Sequence, residues 1–145
     1  MSMLDLLLSR RSISPAALGE PGPSDDHIVT MVAAALRAPD HGGLRPWRFA
    51  VIRGDARNRL GDVFAEAVRR RDPTWTEALL ERERGRPLRS PLVIACGVHI
   101  RPDHKIPEFE QLMAAGAGAM NLLNAAHALG YGAMWVTGPN AYDPT

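Results

Sequence analysis

The chain has 145 residues, 46% hydrophobic and 23% charged, with a formal net charge of +1 at neutral pH. That length suits one domain around one hydrophobic core. The near-zero charge argues against a nucleic-acid protein, which carries a basic excess on one face. Met1-Ser2-Met3-Leu4 lacks the basic region that opens a signal peptide. Ser2 and Asp5 have capping-box spacing, and Leu4, Leu7 and Leu8 then fall on one helical face. Arg10-Arg11-Ser12 follows just beyond that helix end, and a Pro/Gly-rich loop runs from Pro15 to Pro23. Ser24 is a good N-cap, with Asp25 and Asp26 at the positive end of the helix dipole. Ile28, Met31, Val32, Ala35 and Leu36 continue at helical spacing until Pro39 stops the helix.

Asp40 to Pro46 is predicted as a loop, and Trp47 to Ile52 as a strand ending at Gly54. Leu60, Val63, Phe64, Ala67 and Val68 give an amphipathic helix. Arg69 to Arg89 is highly charged and anchored by Trp75, Leu79 and Leu80, which predicts a short helix under a mobile, solvated excursion. Pro91 to Val98 reads as a buried strand. Within it Cys96, the only cysteine, reads as a small buried thiol rather than a nucleophile. A lone cysteine forms no intramolecular disulfide, which makes a reducing, cytoplasmic setting the default. A long helix is expected from Pro107 to about Leu129, with Gly130 as its stop. Asn121, Asn124 and His127 interrupt its apolar run, so a membrane span is not expected. Its Ala114-Ala115-Gly116-Ala117-Gly118-Ala119 tract implies close backbone packing, against the chain's own sheet, a second copy or a flat cofactor. Ala133 to Thr137 is predicted as a further strand.

Two arginine forks and a hydroxyl at Arg10-Arg11-Ser12 can hold a phosphate monoester. The same residues also suit a solvated helix C-terminus, where the dipole favours cations. Arg37-Ala38-Pro39-Asp40-His41, with Arg45-Pro46-Trp47 after two glycines, has the makings of a pocket wall. His27, His41, His99, His104 and His127 show no zinc-ligand spacing, and there is no CxxC or HExxH. GxSxG, GxGxxG and Walker motifs are also missing.

The ordered set resembles the short branch of the nitroreductase family. It comprises Arg10-Arg11-Ser12, Arg37-Ala38-Pro39-Asp40-His41, Pro46-Trp47-Arg48-Phe49 and Pro91-Leu92-Val93-Ile94. His104-Lys105-Ile106-Pro107 with Glu110-Gln111, and Gly130-Tyr131-Gly132-Ala133-Met134-Trp135 with Thr137-Gly138, complete it. The resemblance implies one α+β domain over 1–145, a central mixed or mostly antiparallel sheet flanked by helices. It also implies a cytoplasmic homodimer sharing two FMN sites, with no nucleic-acid or membrane partner. By similarity Arg10, Arg11 and Ser12 bind FMN, Arg37 and His41 approach the flavin, and Trp135, Val136 and Thr137 lie against its ring. Ala125 to Gly130 matches a stretch linked to nicotinamide binding. The implied activity is an NAD(P)H-dependent FMN oxidoreductase with ping-pong transfer through flavin N5 to a nitroaromatic or quinone. The flavin carries the chemistry, and no metal and no catalytic side chain are expected.

The sequence departs from the family pattern where Pro15-Ala16-Ala17 follows the arginines, and where it ends at Asp143-Pro144-Thr145. Family members usually continue with a helix and a final strand, so the sequence is either a shortened piece of the usual polypeptide or a degenerate member. If the segment is truly absent, a sheet edge stays unpaired and flavin affinity should fall. A non-enzymatic flavin- or partner-binding protein on the same scaffold is the alternative reading.

Overall fold

The computed structural model describes residues 2–143. Met1, Pro144 and Thr145, which the readings of the two termini include, lie outside them. Among the described residues five helices and two strands form, in the order α1 (Met3–Ser9), α2 (Asp25–Ala35), β1 (Trp47–Arg53), α3 (Ala56–Arg71), α4 (Glu77–Arg84), β2 (Leu92–Val98) and α5 (Glu108–Ala128). β1 and β2 pair antiparallel, and the His99 N–H extends the ladder to the Pro46 carbonyl at 2.6 Å. The architecture is α+β, as expected. It divides into two compact units: Met1–Ser12, Pro23–Val51 and Ile94–Ala133 in the first, and Ile13–Gly22, Ile52–Val93 and Met134–Thr145 in the second.

In the first unit the predicted caps form. The Ser2 hydroxyl accepts from the Asp5 N–H at 3.1 Å, and the Asp5 carboxylate accepts from the Ser2 N–H at 2.9 Å. The bond from the Ser2 side chain, then that from its backbone, holds the Asp5 carboxyl below the usual carboxylate range. Ser24 accepts from the His27 N–H. At the other end of α5, Gly130 has φ +87° and donates to the His127 carbonyl, while Tyr131 donates to Ala126. That pair of bonds satisfies the last carbonyls of the helix and requires a residue free to turn left-handed. His27 Nδ1 then meets the Tyr131 hydroxyl at 2.8 Å, pinning this turn to the start of α2.

The small-residue tract of α5 serves close packing. Gln111, Ala114, Ala115, Gly118, Ala119, Leu122 and Ala126 are buried. A methyl added at Gly118 would lie 3.3 Å from the Ala35 carbonyl and 3.5 Å from the Trp47 ring. Trp47, Ala38 and Ala114 form the core there, with Phe49 and Ala117 against them. The opposite face of α5 is apolar and bare: Phe109, Leu112 and Met113 are exposed, and nothing stands within 4 Å of a methyl built at Gly116. α1 behaves likewise. Its predicted apolar face of Leu4, Leu7 and Leu8 is exposed, and Leu6 is the residue buried.

In the second unit α3 packs on α4 through Ala65, Val68 and Leu80, with Trp75 beside them. The buried face of α3 is Gly61, Ala65, Ala67 and Val68, whereas Val63 is exposed. The charged segment 69–89 is more ordered than a solvated excursion. It holds α4, a 3-10 turn at Arg86–Arg89, and a buried Glu83 that accepts from Arg86 at 2.8 Å.

Two expectations fail. Residues 131–138 form no strand: a strand is defined by a ladder, and among the described residues the sheet has only its two members. β2 is not buried throughout, because its last four residues, Cys96 among them, are exposed. The protein packed around the sulfur still sheds enough water to push the Cys96 thiol up, which leaves it a poor nucleophile at neutral pH.

Candidate functional site

Arg10 and Arg11 follow the last turn of α1, and His127 sits in the last turn of α5. Together with Leu123 and Ala133 these residues line one shallow depression in the first unit. Two helix C-termini present carbonyl oxygens there, a negative end of each dipole that attracts cations. Arg11 answers that field directly: its Nη1 donates to the Leu8 carbonyl at 3.1 Å and to the Arg10 carbonyl at 2.9 Å. An arginine carries five donors and only Nη1 is engaged, so its other guanidinium N–H groups have no partner among the described residues. The half-buried Arg10 guanidinium makes no hydrogen bond or ion pair among the described residues. Ser12 is exposed beside them.

Arg37 lies in the turn after α2, exposed and bonded to Ala34 through its backbone N–H. His41 opens a 3-10 turn, His41–Gly43, within the predicted loop. The loop is tightly built. Gly42, Gly43 and Arg45 have φ of +72°, +65° and +50°, and the Asp40 carboxylate accepts from the Arg45 N–H at 2.7 Å. Gly42 rides on buried Ile106, whose Cδ1 would collide with any added Cβ. His41 Nδ1 meets Glu110 Oε2 at 2.6 Å.

The structure therefore brings Arg10 and Arg11 into one depression and leaves Ser12 and Arg37 without side-chain partners among the described residues. Trp135, Val136 and Thr137 belong to the second unit, where they are exposed and outside regular secondary structure. That unit also contains an open cavity lined by Val68, Arg71, Trp75, Glu83, Arg86 and Asn140, largely from the charged segment 69–89. His127 and Glu110 are the partners that local sequence patterns do not reveal. Among the described residues no group of three or more His, Cys, Asp or Glu could hold a metal ion. No helix there is long and apolar enough to cross a membrane.

The sequence model described as "Nitroreductase family" matches residues 7–144. The chain belongs to the nitroreductase family. Among its relatives is the Escherichia coli K12 protein YdjA, named as a candidate NAD(P)H nitroreductase. It is 35% identical over 144 residues, covering 99% of this chain and 76% of YdjA. A Haemophilus influenzae protein with a similar name is 34% identical, covering 95% of this chain and 73% of its own length. The nitroreductase fold is also found by superposition. A nitroreductase-like family protein from Bacillus cereus gives a TM-score of 0.82 at 23% identity, covering 99% of this chain and 74% of its own. A candidate nitroreductase from Desulfovibrio desulfuricans, crystallised with FMN, gives 0.68 at 28% identity, covering 94% of this chain and 69% of its own.

Proposed function

We propose that this nitroreductase-family chain is a single FMN-binding domain, an NAD(P)H-dependent oxidoreductase that acts as a homodimer on nitroaromatic or quinone acceptors. The observation that carries the reading is the basic pair just beyond α1: Arg10 has no hydrogen bond or ion pair among the described residues, and Arg11 is fixed to the Leu8 and Arg10 carbonyls. A phosphate monoester needs fixed cationic donors, and these residues fit it. Arg10 has no competing carboxylate among the described residues, and Arg11 is held rigid by the α1 carbonyls while keeping donors free. Arginine preorganised in this way loses little freedom on binding.

In this reading Arg10 and Arg11 grip the FMN phosphate, and the Ser12 hydroxyl donates to the same nucleotide. Arg37 supplies positive charge near the flavin, and His41 faces the flavin, its loop contributed by the second copy. Bound FMN supplies the two-electron chemistry, taking it from NAD(P)H and passing it to the acceptor. The protein contributes position, charge and exclusion of water. The bare faces of α1 and α5 support the dimer, since contiguous exposed apolar side chains mark interfaces.

Colour tests the reading. The purified protein is expected to be yellow and to bleach anaerobically on addition of NADPH or NADH. Yellow protein that neither nucleotide bleaches would instead support a flavin-binding role without catalysis. Arg10→Ala is expected to weaken FMN binding by about 1.5–3 kcal/mol, tenfold or more, because a hydrogen bond to a charged group is lost. Unchanged affinity by fluorescence titration would remove Arg10 from the phosphate site. Met113→Glu places a charge on the bare face of α5 and is expected to halve the sedimentation mass. A dimer that persists would move the interface elsewhere.

A further inference from the structure

We propose that His41 donates a proton through Nε2 to the acceptor being reduced, and that Glu110 is the positioning residue that prepares it; this rests on the flavin reading above. An ionised carboxylate only accepts hydrogen bonds. An imidazole joined to it through Nδ1 at 2.6 Å therefore keeps a hydrogen on Nδ1 whether the ring is neutral or charged. The proton that comes and goes is the one on Nε2, across the ring. Glu110 thus turns a residue with two titrating nitrogens into one with a single, defined exchange atom.

The surrounding structure keeps that atom accessible and in place. The His41 side chain is 66% exposed despite its partner. Its loop has three left-handed positions in four residues; glycine takes two of them without strain, and the third, at the non-glycine Arg45, is strained, as backbone at functional sites often is. From below, Gly42 is seated on Ile106, and Ile106 is held through its carbonyl by Gln111 Nε2 at 3.0 Å. Glu110 is the neighbour of Gln111 in the first turn of α5, so ring and loop share one support.

A quinone becomes a hydroquinone by gaining two electrons and two protons. One proton arrives with the electron pair from the reduced flavin. For the other, the Nε2–H bond breaks as an O–H bond forms on the second quinone oxygen, leaving neutral imidazole that water reprotonates. Ferricyanide takes one electron at a time and no proton, so its reduction should not need His41.

In flavin-free protein, 15N NMR should show Nδ1 of His41 protonated throughout a pH titration, with Nε2 alone titrating. Glu110→Ala should mix the tautomers, and Glu110→Gln, whose amide oxygen still accepts, should restore the single one. In FMN-loaded protein reduced anaerobically, His41→Asn should slow reoxidation by benzoquinone about 100-fold, the low end of general-acid effects. Glu110→Ala should slow it about tenfold, and Glu110→Gln should recover most of that loss. In His41→Asn and Glu110→Ala the benzoquinone rate should fall about tenfold or more relative to the ferricyanide rate of the same variant. Equal slowing with both acceptors, unchanged benzoquinone rates, or an unprotonated Nδ1 in the parent protein overturns the proposal. Protein that takes up no FMN overturns the flavin reading and this step with it. Protein that loads FMN and bleaches with NADH, yet shows an unaltered benzoquinone-to-ferricyanide ratio, overturns this step alone.

Discussion

Gln111→Ala is expected to destabilise the protein by about 3 kcal/mol, the sum of bonds lost and partners stranded. Gln111 is 2% exposed and acts as a strut of backbone character. Its Oε1 accepts from the Arg101 N–H at 2.9 Å, and its Nε2 donates to the Arg101 carbonyl at 3.1 Å and the Ile106 carbonyl at 3.0 Å. Truncation removes all three bonds. Exposed Arg101 can turn to water for part of the loss, but the Ile106 carbonyl is buried against α5 and strands at a cost of about 1–3 kcal/mol. At this chain length the melting temperature should fall by roughly 10 °C. Gln111→Glu should be worse, because a carboxylate would face two carbonyl oxygens where an amide now donates. Hydrogen exchange should rise first at residues 101–106 and then in the His41 turn that rests on Ile106. A melting temperature within about 1 °C of the parent would show that the turn holds without its strut, since about 0.3 kcal/mol corresponds to such a shift.

What could be read from the sequence was local and periodic. Ser2, Asp5, Ser24 and Gly130 announce helix ends through chemistry confined to one turn, and each cap forms as predicted. Periodicity at Leu4, Leu7 and Leu8 correctly identifies an apolar face. It cannot say what covers that face, and among the described residues nothing buries it. Ala133 to Thr137 has strand-like residues, but a strand exists only beside a partner, and the described residues supply none. The apolar run around Cys96 likewise predicts a buried strand, but Cys96 is exposed in β2, which has a single neighbour among the described residues. At the candidate site, the basic pair Arg10 and Arg11 is visible as adjacent residues. His127 joins it only because α1 packs on α5, and Glu110 reaches His41 across 69 positions of chain. Neither link leaves a local spacing to find. Packing also decides what Gly61 and Gly118 are for: both look like weak points in a helix until the neighbouring backbone is in view.

Gly61→Ala tests that last point with the largest expected effect in the second unit. In an ordinary helix the change would stabilise by up to about 1 kcal/mol, since alanine forms helix more readily than glycine. Here a methyl would fall on the Arg84 carbonyl oxygen at the end of α4, which is backbone and cannot rotate away as a side-chain tip could. Either α3 and α4 separate or the last turn of α4 unwinds. Moving them apart opens the Ala65, Val68 and Leu80 cluster and stretches the surface pairs of Arg84 with Asp62, Glu77 and Glu81. Those exposed pairs contribute little, so the loss lies in packing. Overpacking of this kind costs about 1–3 kcal/mol and overrides the gain in propensity. The expected result is a net loss of about 2 kcal/mol, with hydrogen exchange accelerated in α3 and α4 and the Arg10–Arg11 depression unchanged in FMN titration. Stabilisation by Gly61→Ala would mean that α3 and α4 are not in contact at this position, and the packing of the whole 56–84 segment would have to be redrawn.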